Sequence, residues 1–349
     1  MLLVPDALSA DPDSYRRLAE NVLRYHCFGK GLTATAYRPP LYPLALAPCL
    51  ALGGSGRVAI GVLHLVMGLA TVWLVERLGR RWGLGNYAIL AAVLVAADPI
   101  LVRQSTLVMT ETMAALLACL GLVALVRACE RLTLRRAAAA GVSLGLGILC
   151  RPTFLVFSLL AVILLPFAAS GSGTKGAGEG SNSSEANRWR LWRKRLPVPL
   201  AFLAATALVL APWVIRNQRE LGRPIIGTSH GGYTLLLGNN PQFYQYLRFG
   251  PWGRAWDAEE FFRDWSRRVK RAKPVDERAA DKLAYEAAWE TIRNQPGMFL
   301  YSCLVRAGRL WAPLPHQVGR KKASPAAWHA TRWPHGICWS SPWRPWGWL

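Results

Sequence analysis

The sequence predicts an all-α, polytopic helical membrane protein, and three observations carry that reading. Of its 349 residues 52% are hydrophobic and only 18% charged, a balance foreign to soluble domains. The apolar residues are gathered into blocks almost free of charge, at 58–75, 87–97, 106–126, 137–168 and 197–214. Several approach the roughly 20 residues that cross a bilayer. Arginine groups separate the blocks: Arg77, Arg80 and Arg81; then Arg127, Arg131, Arg135 and Arg136; then Arg188, Arg190, Arg193, Lys194 and Arg195. A soluble core buries one such helix readily, but five in one chain, each flanked by arginine, fall outside that pattern. The formal net charge of +22 would suit a nucleic-acid binder, yet the cations sit in short loops between apolar segments, as the positive-inside rule expects of cytoplasmic loops. Nucleic acid is therefore not an expected partner, and membrane lipid is. The seven cysteines are odd in number and scattered through apolar stretches, which fits packing rather than a disulfide or zinc framework.

Residues 1–57 are expected to form a first outer loop, in which "DPDS" is a capping sequence ahead of a helix at 15–23 lying along the interface. With the basic loops inside, the block at 58–75 runs inward, 87 to about 99 returns, and 106–126 runs in again. The block at 137–168 is too long for one span and is interrupted by Arg151-Pro152. It is expected to be a helical hairpin with the arginine at its outer turn, because a charge at mid-membrane is costly. A Gly/Ser-rich and then basic loop at 169–196 suits a flexible cytoplasmic linker, and its Asn182-Ser183-Ser184 sequon is taken as incidental there. The helix bundle thus covers 58–216. Residues 217–296 are polar and outer, with helical periodicity in their second half, and 297–317 form a further membrane or interfacial helix. The tail, 318–349, interleaves tryptophan with Pro, Arg and His without a period and is read as out of frame. By this count 1–57, the 98–104 turn, Arg151 and everything after Arg216 share one outer face.

No GxxxxGK[ST], HExxH or GxSxG motif occurs, so ATP-driven transport, zincin and α/β-hydrolase chemistry have no support. The outer-face residues remain: Asp11, Asp13, Tyr15, Arg38 and Glu111. Asp11 or Asp13 can be plain helix caps. Glu111 is a carboxylate in an apolar helix, which must find a partner or stay protonated. Arg151 can be a turn residue that snorkels to the interface. The glycines of "HGGYTLLLGNNP" suit turns, while Asn239 and Asn240 are turn residues or contacts to sugar hydroxyls. No histidine has a partner at metal-ligand spacing, so neither a metal nor another cofactor is expected.

Taken in order, "DPDSYRRLAENVL", "YRPPLYPLALA", "TLVMTETMAALL", "CRPTF" and "WVIRNQRELGRPIIGTSHGGYTLLLGNNP" resemble bacterial membrane glycosyltransferases of the GT-C class, in particular protein O-mannosyltransferase-like and lipid A aminoarabinose transferase-like enzymes, over residues 6–315. The resemblance implies a GT-C-like bundle in the bacterial inner membrane and inverting transfer of a sugar from a polyprenyl-phosphate donor to a hydroxyl on a lipid, glycan or protein at the outer face. Asp11, four residues before Tyr15, matches the general base, with Asp13 as its fallback. Glu111 matches a second acidic position that orients the acceptor or Asp11. Arg38 matches the site for the lipid phosphate, Arg151 less closely. Beside Arg38 and open to water, Asp11 is expected to stay ionised near neutral pH. Such enzymes ordinarily begin with a membrane helix before the aspartate loop and continue with further spans, so the chain is read as a fragment that keeps its active-site motifs. A transporter or flippase for a lipid-linked substrate, or a non-catalytic relative, would use the same intramembrane acids and outer arginines.

Overall fold

The computed structural model describes residues 8–9, 11, 13–168, 196–250 and 256–310. The basic linker read at 169–196, all but its last residue, and the tryptophan-rich tail lie outside the described residues, as does the end of the segment read at 297–317. Contacts divide the chain into two compact units, Met1–Thr228 and Ser229–Leu349.

The first unit is helical apart from one hairpin. It comprises α1 (Tyr15–Tyr25), β1 (Gly29–Lys30) and β2 (Thr33–Ala34) paired antiparallel, α2 (Leu41–Leu50), α3 (Gly56–Arg81), α4 (Tyr87–Ala96), α5 (Pro99–Gln104), α6 (Glu111–Glu130), α7 (Leu134–Cys150), α8 (Phe154–Ala168) and α9 (Pro197–Leu221). The helices α3, α6 and α9 are long and apolar enough to cross a membrane. The 26 residues of α3 extend about 39 Å at 1.5 Å per residue, more than the roughly 30 Å of hydrocarbon. Large apolar side chains stand exposed along α3, α4, α8 and α9, among them Val62, Leu69, Leu94, Ile163 and Leu208. Surface of that kind is stable only against lipid or protein.

Small residues decide the tightest packing. A side chain on Gly141 of α7 would meet the Phe202 carbonyl of α9 at 2.3 Å, and one on Gly145 would meet Val209 at 3.0 Å. Thr206 Oγ1 seals the seam by donating to the Gly141 carbonyl at 3.1 Å. This small-x-x-x-small pattern lets two membrane helices approach backbone to backbone.

The expected hairpin at Arg151-Pro152 is present, with α7 ending at Cys150 and α8 starting at Phe154. The expected return span at 87–99 is helical only over α4, 10 residues long, and the expected 98–104 turn holds the short helix α5. Pro99 brings no amide hydrogen, and the Asp98 carboxylate caps α5 by accepting from the amides of Ile100 and Leu101 at 2.9 and 2.8 Å. Both basic loops within the described chain meet at one end, where Glu130 at the foot of α6 pairs with Arg81 of α3 and Arg136 of α7. The first loop closes the opposite end. It is no separate layer, since Leu8, Tyr15, Tyr42 and Leu46 belong to the same apolar core as Ile60, Leu117, Ile148 and Phe202. Arg216 of α9 ties the hairpin down by donating to the carbonyls of Phe28 and Thr35 at 2.6 and 2.8 Å.

The second unit holds α10 (Gly231–Gly238), α11 (Pro241–Phe249), α12 (Glu259–Ala272), α13 (Glu277–Asn294) and α14 (Pro296–Leu310). Tyr233, Leu236, Phe261, Trp265 and three alanines of α13 form its core. Gly232 is required here, because an added side chain would lie 2.3 Å from the Asp281 carbonyl. The Asp281 carboxylate caps α10 through the amides of Gly232 and Tyr233.

Candidate functional site

Asp11 is both cap and free acid. Its Oδ2 accepts from the backbone amides of Arg16 and Arg17 at 3.0 and 3.3 Å, in the first turn of α1. That geometry needs the chain to fold back over its own helix, and Ser14 provides the reversal with a left-handed φ of 62°. Asp11 Oδ1 is buried and makes no hydrogen bond. Burial pushes the carboxyl up to about 6 against the lowering pull of the amides, with Asp13 adding a smaller upward push.

The expected Asp11–Arg38 pairing is not what forms. Arg38 Nη2 donates instead to Asp13 Oδ1 at 2.8 Å, in a pair whose side chains are 12% and 14% exposed. The guanidinium also lies over the rings of Tyr15 and Tyr37 at 5.6 and 5.1 Å. One residue of separation in the sequence thus splits the two aspartates: Asp13 is neutralised, and Asp11 keeps an oxygen without a cation. Arg38 Nε is itself buried without a hydrogen bond.

A second acid–base pair stands at the same end of the bundle. Arg151, just beyond α7, donates to Glu111 Oε1 at 3.3 Å. Glu111 is the first residue of α6, and its Oε2 is buried without a partner. Tyr15 links the two pairs, since its hydroxyl is hydrogen-bonded to Thr110 and it feels the charges of Arg38, Asp13 and Arg151. Burial pushes its phenol above the ordinary range, so it acts as a neutral group. Cys150 Sγ adds a long contact to the Thr110 carbonyl at 3.9 Å. Gln104 Oε1 and Thr112 Oγ1 are also buried and unpartnered at this end. Buried polar atoms ordinarily find partners, so the unpaired ones on these residues single this end out as the candidate site. Among the described residues no three metal-ligating side chains converge.

Residues 37–175 match the family model described as dolichyl-phosphate-mannose-protein mannosyltransferase. The motif resemblance is borne out over that stretch, which contains Arg38, Glu111 and Arg151 and begins beyond Asp11, Asp13 and Tyr15. The match supports a membrane glycosyltransferase of the GT-C class. No curated protein and no solved structure matches the chain.

Two residues read from the mannosyltransferase-like motifs are committed elsewhere. Asn239 and Asn240 lie in the second unit, each 1% exposed. Asn239 donates to the Leu235 carbonyl and accepts from the Tyr244 hydroxyl. Asn240 donates to the carbonyls of Leu236 and Leu237 and accepts from the Phe243 amide, as the cap of α11. Both amides are thus engaged by contacts within the second unit. Conversely, His64 and Tyr42 are polar members of this end that the sequence reading passed over. The signal was available: a histidine inside an apolar span needs a partner for the same reason as Glu111.

Proposed function

We propose that the chain transfers a sugar from a polyprenyl-phosphate donor to a hydroxyl acceptor at the outer face of the membrane, with inversion. The single observation that carries this reading is the state of Asp11, with one oxygen pinned by two amides and the other buried and unpaired. A general base needs that combination of fixed position and free lone pair. In the reaction the acceptor hydroxyl attacks the anomeric carbon from the side opposite the phosphate. Its proton passes to Asp11 Oδ1, and the bond from the anomeric carbon to the phosphate oxygen breaks. The leaving polyprenyl phosphate departs with the negative charge.

Arg38 is the residue assigned to that phosphate. One of its five N–H donors is engaged by Asp13, and its buried Nε–H remains to meet an anionic oxygen. Glu111, held by Arg151, orients the acceptor, and Asp13 fixes Arg38. The family description names a dolichyl-phosphate-linked mannose, which makes dolichyl-phosphate mannose the first donor to try.

The test is Asp11→Asn, which keeps an oxygen for the amides of Arg16 and Arg17 and removes the base. Membranes carrying the chain are supplied with dolichyl-phosphate mannose labelled in the sugar. Loss of label from the donor is expected to slow by about 10²- to 10⁴-fold in the variant. Equal rates in the two membranes would refute the assignment.

A further inference from the structure

We infer that His64 is a positioning residue for Asp11. The inference rests on the transferase reading for its functional meaning, and on geometry for its substance. His64 is fully buried in α3. Its Nδ1 lies 2.8 Å from the Ser105 carbonyl and its Nε2 lies 2.9 Å from the Tyr42 hydroxyl. A carbonyl oxygen only accepts, so Nδ1 carries a proton. With the ring neutral, Nε2 is the acceptor and the Tyr42 hydroxyl donates to it. One imidazole thereby joins α2, α3 and the segment that follows α5 in a fixed tautomer.

Beside the Arg38–Asp13 pair, two supports of the Asp11 loop run back to this ring. On one side, the carbonyl of Thr106, next to Ser105, accepts from the Leu8 amide at 2.8 Å, three residues before Asp11. On the other, the Tyr42 ring meets the Tyr15 ring edge-on, with centroids 5.3 Å apart. Tyr15 starts α1, whose next two amides hold Asp11 Oδ2. The loop between these anchors is short and contains two non-glycine residues with left-handed φ, Leu8 at 61° and Ser14 at 62°. Such backbone persists only where its surroundings over-determine it. His64 is what the two anchors share, and its two ring nitrogens are taken up by Ser105 and Tyr42 rather than by the acid.

The test compares His64→Phe, His64→Asn and Tyr42→Phe in the full chain, in membranes. His64→Phe keeps a planar ring and loses both hydrogen bonds; His64→Asn keeps a donor toward Ser105; Tyr42→Phe keeps every ring and removes one donor. The readout is the infrared titration of the Asp11 carboxyl, identified as the band that Asp11→Asn removes. In the parent the midpoint is expected near 6, where burial holds it. In His64→Phe the loop opens to water, and the midpoint falls toward the ordinary aspartate value near 4. His64→Asn should restore most of the difference, and Tyr42→Phe should lie between. Alongside, the rate of loss of label from dolichyl-phosphate mannose should drop by about tenfold or more in His64→Phe at saturating donor, with donor KM changed by less than about twofold.

An Asp11 midpoint that stays near 6 in both His64→Phe and Tyr42→Phe would overturn the inference, whatever the rates. If His64→Phe does not fold, Tyr42→Phe alone decides on the same criterion. If the midpoint moves while Asp11→Asn still transfers at the parent rate, His64 positions the acid and it is the transferase reading that fails.

Discussion

At the scale of single residues, the site depends on how differently two neighbouring aspartates are treated. Asp13 is held by Arg38, while Asp11 is desolvated and held only by amides. The consequence for stability has a definite sign. The Asp11 carboxyl lies at 3.8 in the unperturbed state and about 6 in the folded one, so the fold binds its proton more tightly than the unfolded chain does. That contribution is fully present below pH 3.8 and is lost as pH rises through 6. Asp11→Asn should therefore raise the melting temperature of the detergent-solubilised protein at pH 7 while its activity falls, and the two proteins should melt closer together near pH 4. A variant that loses activity and stability together at pH 7 would make Asp11 a structural cap. Arg38→Ala should act oppositely on stability, because it strands a largely buried Asp13 charge; the cost of breaking such a pair is about 3–5 kcal/mol. Arg38→Lys should recover part of the activity, since the charge remains and the planar fork is lost. The sequence singled out Asp11, Asp13 and Arg38 but not how they would pair. Arg38 prefers Asp13 because the left-handed Ser14 turns Asp11 back onto the helix, and nothing in "DPDS" alone signals that turn.

At the scale of elements, the glycine seam between α7 and α9 is the most exacting contact in the bundle. Gly141→Leu would drive a side chain into the Phe202 carbonyl and should force the helices apart. Overpacking of this kind costs about 1–3 kcal/mol, which thermal melting in detergent resolves. Gly68→Ala is the control: nothing lies within 4 Å of the added methyl on α3, and higher helix propensity should leave stability unchanged or slightly raised. An equal loss in both variants would mean that the seam does not hold the bundle. The hairpin break at Arg151-Pro152 was legible because proline and a charge interrupt one long apolar run. The helix α5 within the 98–104 turn was not, because Asp98 reads as part of an outer turn until its side chain is seen capping that helix. The glycine seam was equally silent, since glycine is common in membrane helices and only the close partner gives these two their meaning.

At the scale of the whole molecule, the first unit has a basic end and an acid–base end, opposite in character. The residues assigned to the chemistry converge at the second, although they come from the first loop, the start of α6 and the turn after α7. We propose from the charge bias that the arginine loops face the cytoplasm and the site faces out. Cysteine labelling checks it. In a cysteine-free background, Leu32→Cys, in the hairpin turn where Leu32 is 82% exposed, should react with a membrane-impermeant maleimide in intact cells. Arg135→Cys, at the basic end, should react only after permeabilisation. The most direct single test of the whole reading is the rate of sugar loss from dolichyl-phosphate mannose in sealed, right-side-out vesicles, with the external pH varied and the internal pH held. The rate should climb with external pH through a midpoint near 6, where Asp11 loses its proton, and that climb should vanish with the activity in Asp11→Asn. A rate that ignores external pH, or an Asp11→Asn protein that keeps both the climb and the turnover, would contradict it.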